Sequence, residues 1–155
     1  MGVSWVGVLL AVALLAPSAV LVSMPPRDAP PAVRVAPAWT AAERVGQVGA
    51  LTLLAFAGSG AGRGRGLWLL AATACVAVYW ALWARYVLGG RTSGLLVAPL
   101  GPVPIPMAVL PVLAFACAAA WVPSWWLGLA AATLAVGHLR VTWASARATD
   151  PASRA

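Results

Sequence analysis

The sequence predicts an all-α integral membrane protein, a helical bundle with five transmembrane helices, and three observations support this fold class. Apolar residues make up 63% of the 155 positions and charged residues only 8%, whereas soluble domains are about half apolar and about a quarter charged. Five apolar stretches are long enough for helices that cross a hydrocarbon core of about 30 Å. The basic residues between these stretches fall mainly on one side of the membrane.

The five stretches form a single predicted transmembrane domain over residues 1–144, which leaves no room for a separate soluble domain. The predicted helices cover about residues 3–22, 42–60, 67–88, 106–122 and 125–143. Residues 145–155 are mostly polar or small, and we expect them to form a short, disordered cytoplasmic tail.

The first predicted helix, 3–22, has no basic residue before it and only a poor match to a signal-peptide cleavage site at residues 16–19. We therefore expect it to be retained. Residues 24–37 contain five prolines, and because proline lacks an N–H donor and has a fixed φ, this segment is predicted to be an extended linker.

The second predicted helix, 42–60, is the weakest of the five. Thr40 followed by Glu43 matches a capping box that would start it. Its hydropathy is lowered by several small or polar residues, namely Gly46, Gln47, Gly49 and Thr52. If this helix did not span, the bundle would have four transmembrane helices.

The remaining helices have clearer boundaries. The third, 67–88, is followed by the glycine-rich turn 89–94. The fourth has Pro106 in its first turn, where proline is favoured, and Pro111 is expected to kink it. A tight turn at Pro123 then leads into the fifth helix, so that the last two helices form a hairpin.

Eight tryptophans near the predicted helix ends are expected to act as interfacial anchors, because indole rings favour the membrane–water boundary. They are Trp5, Trp39, Trp68, Trp83, Trp121, Trp125, Trp126 and Trp143.

The ten basic residues are all arginines, and this usage, with abundant alanine and glycine, is typical of a GC-rich bacterial genome. Five helices would place eight arginines on one side, Arg27, Arg34, Arg44, Arg85, Arg91, Arg140, Arg147 and Arg154, and only Arg63 and Arg65 on the other. The positive-inside rule then predicts a bacterial plasma-membrane protein with its N-terminus outside and its C-terminus in the cytoplasm. With four helices the split would be even.

One group of polar residues is predicted to converge in the cytoplasmic half of the membrane. It consists of Glu43, Tyr79, Arg85, His138 and Arg140. In the functional interpretation Glu43 pairs with one of the two arginines, and Arg85 clamps a lipid phosphate or an anionic substrate. In the alternative interpretation the arginines extend to the headgroups and His138 is satisfied by a neighbouring helix.

Several kinds of chemistry have no support in the sequence. The single histidine and three acidic residues cannot supply a common metal or cofactor ligand set, and Cys75 and Cys117 lie within apolar stretches where a thiol behaves as a small hydrophobe. No catalytic constellation is found, so we expect neither an enzyme nor a cofactor. The net charge of +7 comes from scattered arginines that favour lipid headgroups over nucleic acid.

Two functional hypotheses follow. The first is a non-enzymatic membrane subunit that packs against another membrane protein or a second copy, through small residues spaced four apart such as Ala77 and Ala81. The second is a small transporter or lipid-binding protein that uses the polar group. The proline-rich segment 95–106 is a candidate re-entrant segment that would cover this polar group.

Overall fold

The computed structural model describes residues 2–28, 33–56 and 65–149, and 79% of them are helical with no strand among them. The helices in order are α1 (Trp5–Ser23), α2 (Pro37–Ala55), α3 (Gly66–Leu88), α4 (Ser93–Val97), α5 (Pro106–Trp121) and α6 (Trp125–Thr149). The all-helical fold class is therefore confirmed. Each of the five predicted helices has a counterpart, and α4 is an addition.

Three helices in the described ranges are long and apolar enough to cross a membrane, namely α1, α3 and α6. The sixteen residues of α5 are apolar, but they extend only about 24 Å at the usual rise per residue. Helix α2 is long enough but carries Glu43 and Arg44. These features support a membrane protein in general.

The contacts between helices fix their relative directions. The N–H of Ser4 before α1 donates to the carbonyl of Ala55 at the end of α2, so these two helices are antiparallel. Trp80 Nε1 donates to the carbonyl of Ala13 and Tyr86 Oη donates to that of Met24, so α1 and α3 are parallel. A Cβ on Gly46 of α2 would meet Leu134 of α6, whereas one on Gly137 of α6 would meet Glu43; these helices are antiparallel too.

Two predicted boundaries need correction. Helix α2 begins at Pro37, which takes the first-turn position, so the expected capping box at Thr40 and Glu43 is wrong and both residues lie inside the helix. Helix α6 continues to Thr149, beyond the predicted end at 143 and into the predicted tail. Residues 150–155, the end of the second predicted helix at 57–60, and Arg63 lie outside the described residues.

The linker after α1 is fastened to the short helix α4. The Asp28 carboxylate accepts hydrogen bonds from the Ser93 N–H at 2.6 Å and the Ser93 hydroxyl at 2.7 Å. Both hydrogen bonds hold the pKa of Asp28 below its usual value, and the bond from the Ser93 hydroxyl has the larger effect. The Arg27 N–H also donates to the carbonyl of Arg91. The connection between α3 and α5 is thereby tied to the end of α1.

The predicted tryptophan anchors divide into two groups. Six have exposed side chains, Trp5, Trp39, Trp68, Trp125, Trp126 and Trp143. Trp83 and Trp121, which were also predicted as interfacial anchors, instead are buried within the bundle. In α3 the i, i+4, i+7 spacing of Tyr79, Trp83 and Tyr86 places all three rings on the inward face.

Candidate functional site: a polar chamber inside the bundle

The structure pairs Glu43 with His138. Glu43 Oε1 lies 2.6 Å from His138 Nδ1, and the two side chains are only 21% and 28% exposed. The close approach of α2 and α6 at Gly137 brings the two residues together, because a larger side chain at Gly137 would overlap the Glu43 backbone. The predicted pairing of Glu43 with an arginine is therefore wrong.

The pair faces a chamber of about 170 Å³ that residues of α1, α2, α3, α5 and α6 enclose. Its polar lining comes from Ser18, Glu43, Gln47, Tyr79 and His138. Three of these residues lie about 20 Å along the parallel helices α1, α3 and α6 at the usual helical rise. The chamber thus lies at one depth of the bundle, nearer the end at which α4 is found.

A larger cavity of about 440 Å³ adjoins the chamber and is called the vestibule here. It shares Ser18, Tyr79 and His138 with the chamber. From there it extends to Ser93 of α4 and to Thr149 at the end of α6. His138 therefore lies at the boundary between the two cavities, and the chamber is reached from the α4 end.

The other end of the bundle is filled with apolar side chains. Leu54 near the end of α2 and Leu127 near the start of α6 are fully buried, and so is Ala50 between Leu54 and the chamber. Burial of this kind excludes water from that end. The polar chamber is consequently open toward one end of the bundle and closed toward the other.

Two aromatic residues of α3 form part of the vestibule wall. The Tyr79 and Trp83 rings pack edge to face with centroids 6.3 Å apart. Among the described residues Trp83 Nε1 is buried and has no hydrogen-bond partner. An indole N–H can only donate, and Tyr79 is the polar side chain that packs against this ring.

Arg85 does not join the chamber. Its guanidinium reaches the carbonyls of Leu95 and Ala98 at 3.5 and 3.4 Å, which lie at the C-terminal end of α4 where a cation is favoured. These contacts hold the segment 95–106 against α3. Within that segment Leu100 and Val103 exchange backbone hydrogen bonds across a tight turn.

Arg140 also lies apart from the chamber. Its guanidinium carbon is 5.6 Å from the centroid of the Trp39 ring, in a cation–π arrangement. The predicted polar group therefore separates into three places. Glu43, His138 and Tyr79 come together, whereas Arg85 supports α4 and Arg140 lies on the outer face of α2 and α6.

Sequence reasoning missed Ser18 and Gln47 as chamber residues. Gln47 had a detectable signal, because it follows Glu43 by one helical turn and shares its face. No sequence signal identified Ser18, because its place in the chamber depends on how α1 packs.

The described residues contain no group of three or more His, Cys, Asp or Glu side chains that is placed to hold a metal ion. No protein-family model matches the chain, and neither does any curated protein or any solved structure.

Proposed function

We propose that the protein is a small transporter of the bacterial plasma membrane, in which the Glu43–His138 pair exchanges protons between the vestibule and the inner chamber. The chamber is taken to lie in the cytoplasmic half of the membrane. The proposal involves no covalent chemistry, no metal and no cofactor.

One observation carries the proposal, the contact of an acid with an imidazole inside a polar chamber that five helices enclose. Ionisable groups at membrane depth are costly and commonly mark ion or substrate pathways. Imidazole is the side chain that most readily changes its charge near neutral pH. Adding one proton to a carboxylate and a neutral imidazole in contact leaves the pair without net charge, and releasing the proton restores one negative charge.

The access to the chamber supports the same function. A site that is open toward one end of the bundle and closed toward the other corresponds to one of the two states that alternating access requires. The vestibule is large enough for a small organic solute, and hydroxyl groups such as those of Ser18 and Thr142 line it. We take a polar solute with a hydrogen-bond acceptor as the class of substrate.

The test is proton flux into liposomes that contain the purified protein and a pH-sensitive dye. After external acidification the wild type is expected to acidify the interior faster than protein-free liposomes. Glu43→Gln and His138→Asn should each reduce the rate to that of protein-free liposomes, because each removes one member of the proton-exchanging pair.

Arg44→Gln is the matched control, since it removes a charge next to Glu43 from an exposed side chain that lines neither cavity. It should leave the flux unchanged. Wild-type flux equal to that of empty liposomes at several pH gradients, or full flux in both Glu43 and His138 variants, would contradict the proposal.

A second candidate function is that of a non-enzymatic subunit that packs against another membrane protein or a second copy. The favouring observation is the outward face of α3, where Ala77 and Ala81 are exposed, because small residues let helices approach closely in lipid. Cross-linking in native membranes tests it. A cross-linked partner that is lost in Ala77→Leu would support this function, and a monomer without partners would count against it.

The proposed membrane topology is argued from the directions of the same helices. We propose five spans, with the N-terminus outside and the C-terminus in the cytoplasm. Because α1, α3 and α6 run in parallel, a chain in which all three cross the membrane must return twice between them. Helix α2 runs in the return direction, and the short turn between α5 and α6 reverses the chain there as well, which supports the role of both helices as spans.

A further inference from the structure

A groove on the outer surface of the bundle, away from the polar chamber, combines an apolar floor with a basic end. The apolar part has a volume of about 600 Å³ and lies between α5 and α6, with Val109, Val136 and Leu139 among its lining residues. It is open along its length. In a membrane this surface faces lipid chains.

The basic end is a second cavity of about 430 Å³ that shares Trp39, Arg140 and Trp143 with the first. Arg34 of the linker and Arg147 of α6 also line it. Three arginines from two separate segments therefore line one cavity. The antiparallel packing of α2 and α6 brings these segments to the same end of the bundle.

Arg34 and Arg140 have no carboxylate partner within the described part of the chain. Its two carboxylates, Asp28 and Glu43, bind Ser93 and His138, and Arg34 and Arg140 form no ion pair there. Arg140 instead lies over the Trp39 ring at 5.6 Å and Arg147 over the Trp143 ring at 5.7 Å. The tryptophans thus position the guanidinium groups at the mouth of the apolar groove.

We propose that this groove binds an anionic phospholipid, with an acyl chain along α5 and α6 and the phosphate between Arg34 and Arg140. The charge complementarity selects the headgroup, because guanidinium groups bind phosphate through charge-assisted hydrogen bonds. The apolar groove that continues from the basic cavity selects a lipid over a soluble phosphate. Trp39 and Trp143 have the exposed rings expected at headgroup depth.

The site is independent of the proposed transport. It uses other side chains of α2 and α6, and its test does not require proton flux.

The test is native mass spectrometry of the protein in mild detergent with equal amounts of phosphatidylglycerol and phosphatidylcholine of the same chain length. The wild type is expected to retain phosphatidylglycerol preferentially. Each arginine near a membrane surface contributes about a fivefold preference for anionic lipid. The double variant Arg34→Gln/Arg140→Gln should therefore lower the preference about 25-fold.

The control is Arg27→Gln/Arg44→Gln, which removes the same net charge from residues that do not line the groove. It should keep the wild-type preference. In a separate arm, soluble glycerophosphate at the concentration of the lipid should fail to displace it, and Val136→Trp, which fills the groove, should weaken binding of phosphatidylglycerol.

Three results would overturn the proposal. One is equal retention of the two lipids by the wild type. Another is the same loss in the control double variant as in Arg34→Gln/Arg140→Gln, which would indicate general surface charge. The third is displacement of the lipid by glycerophosphate, which would indicate a phosphate site without an acyl-chain groove.

Discussion

The Asp28 side chain fixes the position of a whole segment of this chain. It is an isolated acid in a proline-rich linker, and its hydrogen-bond partner Ser93 lies 65 residues away. No local pattern connects the two residues. Yet their two short hydrogen bonds place the linker beside α4 and so form one wall of the vestibule.

We expect Asp28→Asn to lower the melting temperature of the purified protein, because an amide cannot accept hydrogen bonds from both Ser93 donors as strongly as a carboxylate. The pKa of Asp28 is lowered by folding, so its stabilisation is complete above the unfolded value of about 3.9 and is lost as the pH falls below it. The difference in melting temperature between wild type and variant should therefore be largest near neutral pH and vanish in acid.

Ser93→Ala is the partial counterpart, since it removes the hydroxyl donor and keeps the N–H. Its melting temperature should lie between those of the wild type and Asp28→Asn. The difference in melting temperature between the wild type and Asp28→Asn could instead be the same at neutral pH and in acid. That result would show that the ionised carboxylate does not stabilise the fold.

The Glu43–His138 contact shows what residue types alone leave open. Formal charge favoured an arginine as the partner of Glu43, because arginine is always charged and binds carboxylates in a bidentate manner. In the structure the partner of Glu43 is His138 instead. Gly137 allows α2 and α6 to approach closely, and His138 then lies against Glu43.

At the scale of single elements, the packing of α2 against α6 depends on glycine. Ala50 and Leu54 of α2 are fully buried. Gly46 and Gly137 lie where an added methyl group would overlap the backbone of the facing helix. Close backbone approach through small residues is the usual way in which helices associate in lipid. This contact also fixes the position of the chamber.

We expect Gly46→Ala and Gly137→Ala each to destabilise the protein by about 1–3 kcal/mol, the usual cost of overpacking. Thermal or denaturant unfolding in detergent measures this effect. Gly128→Ala is the matched control in α6, because nothing lies within 4 Å of a Cβ there. It should be neutral or stabilise by up to about 1 kcal/mol through helix propensity.

The order of these three variants is the informative result. If Gly128→Ala lost as much stability as Gly137→Ala, helix propensity or detergent effects would explain the change, and the close approach of α2 and α6 would not.

At the scale of the whole molecule, the proposal of five crossings rests on the direction of the helices as well as on hydropathy. Within the described ranges, only α1, α3 and α6 are long and apolar enough by themselves. Helix α2 buries Gly46, Ala50 and Leu54 against neighbouring helices, and its polar Glu43 and Gln47 face the chamber. A helix of this kind can span a membrane with low average hydropathy, because protein rather than lipid covers its polar side chains.

We expect single cysteines at the two ends of α2 to lie on opposite sides of the membrane. In a background of Cys75→Ser/Cys117→Ser, a membrane-impermeant maleimide added to intact cells should label Phe56→Cys but not Ala36→Cys. After the membrane is permeabilised, both should be labelled. Equal labelling of the two positions in intact cells would show that α2 does not span and would remove the proposed orientation.

Local sequence features were sufficient to predict the all-helical class, the approximate ranges of the long helices and the start of α5 at Pro106. These features follow from local causes, namely apolar stretch length and the effects of proline and glycine on the backbone. The gathering of Glu43, Tyr79 and His138 at one depth was also predictable, because helical rise converts residue number into depth.

Tertiary structure alone decided the partners within that depth. It paired Glu43 with His138, directed Arg85 to the end of α4 and Arg140 to Trp39, and turned Trp83 and Trp121 into the bundle. The physical reason is that helix rotation and close approach depend on side-chain volume at contacts such as Gly137. In so apolar a chain, the sequence of one helix does not show which face another helix will cover.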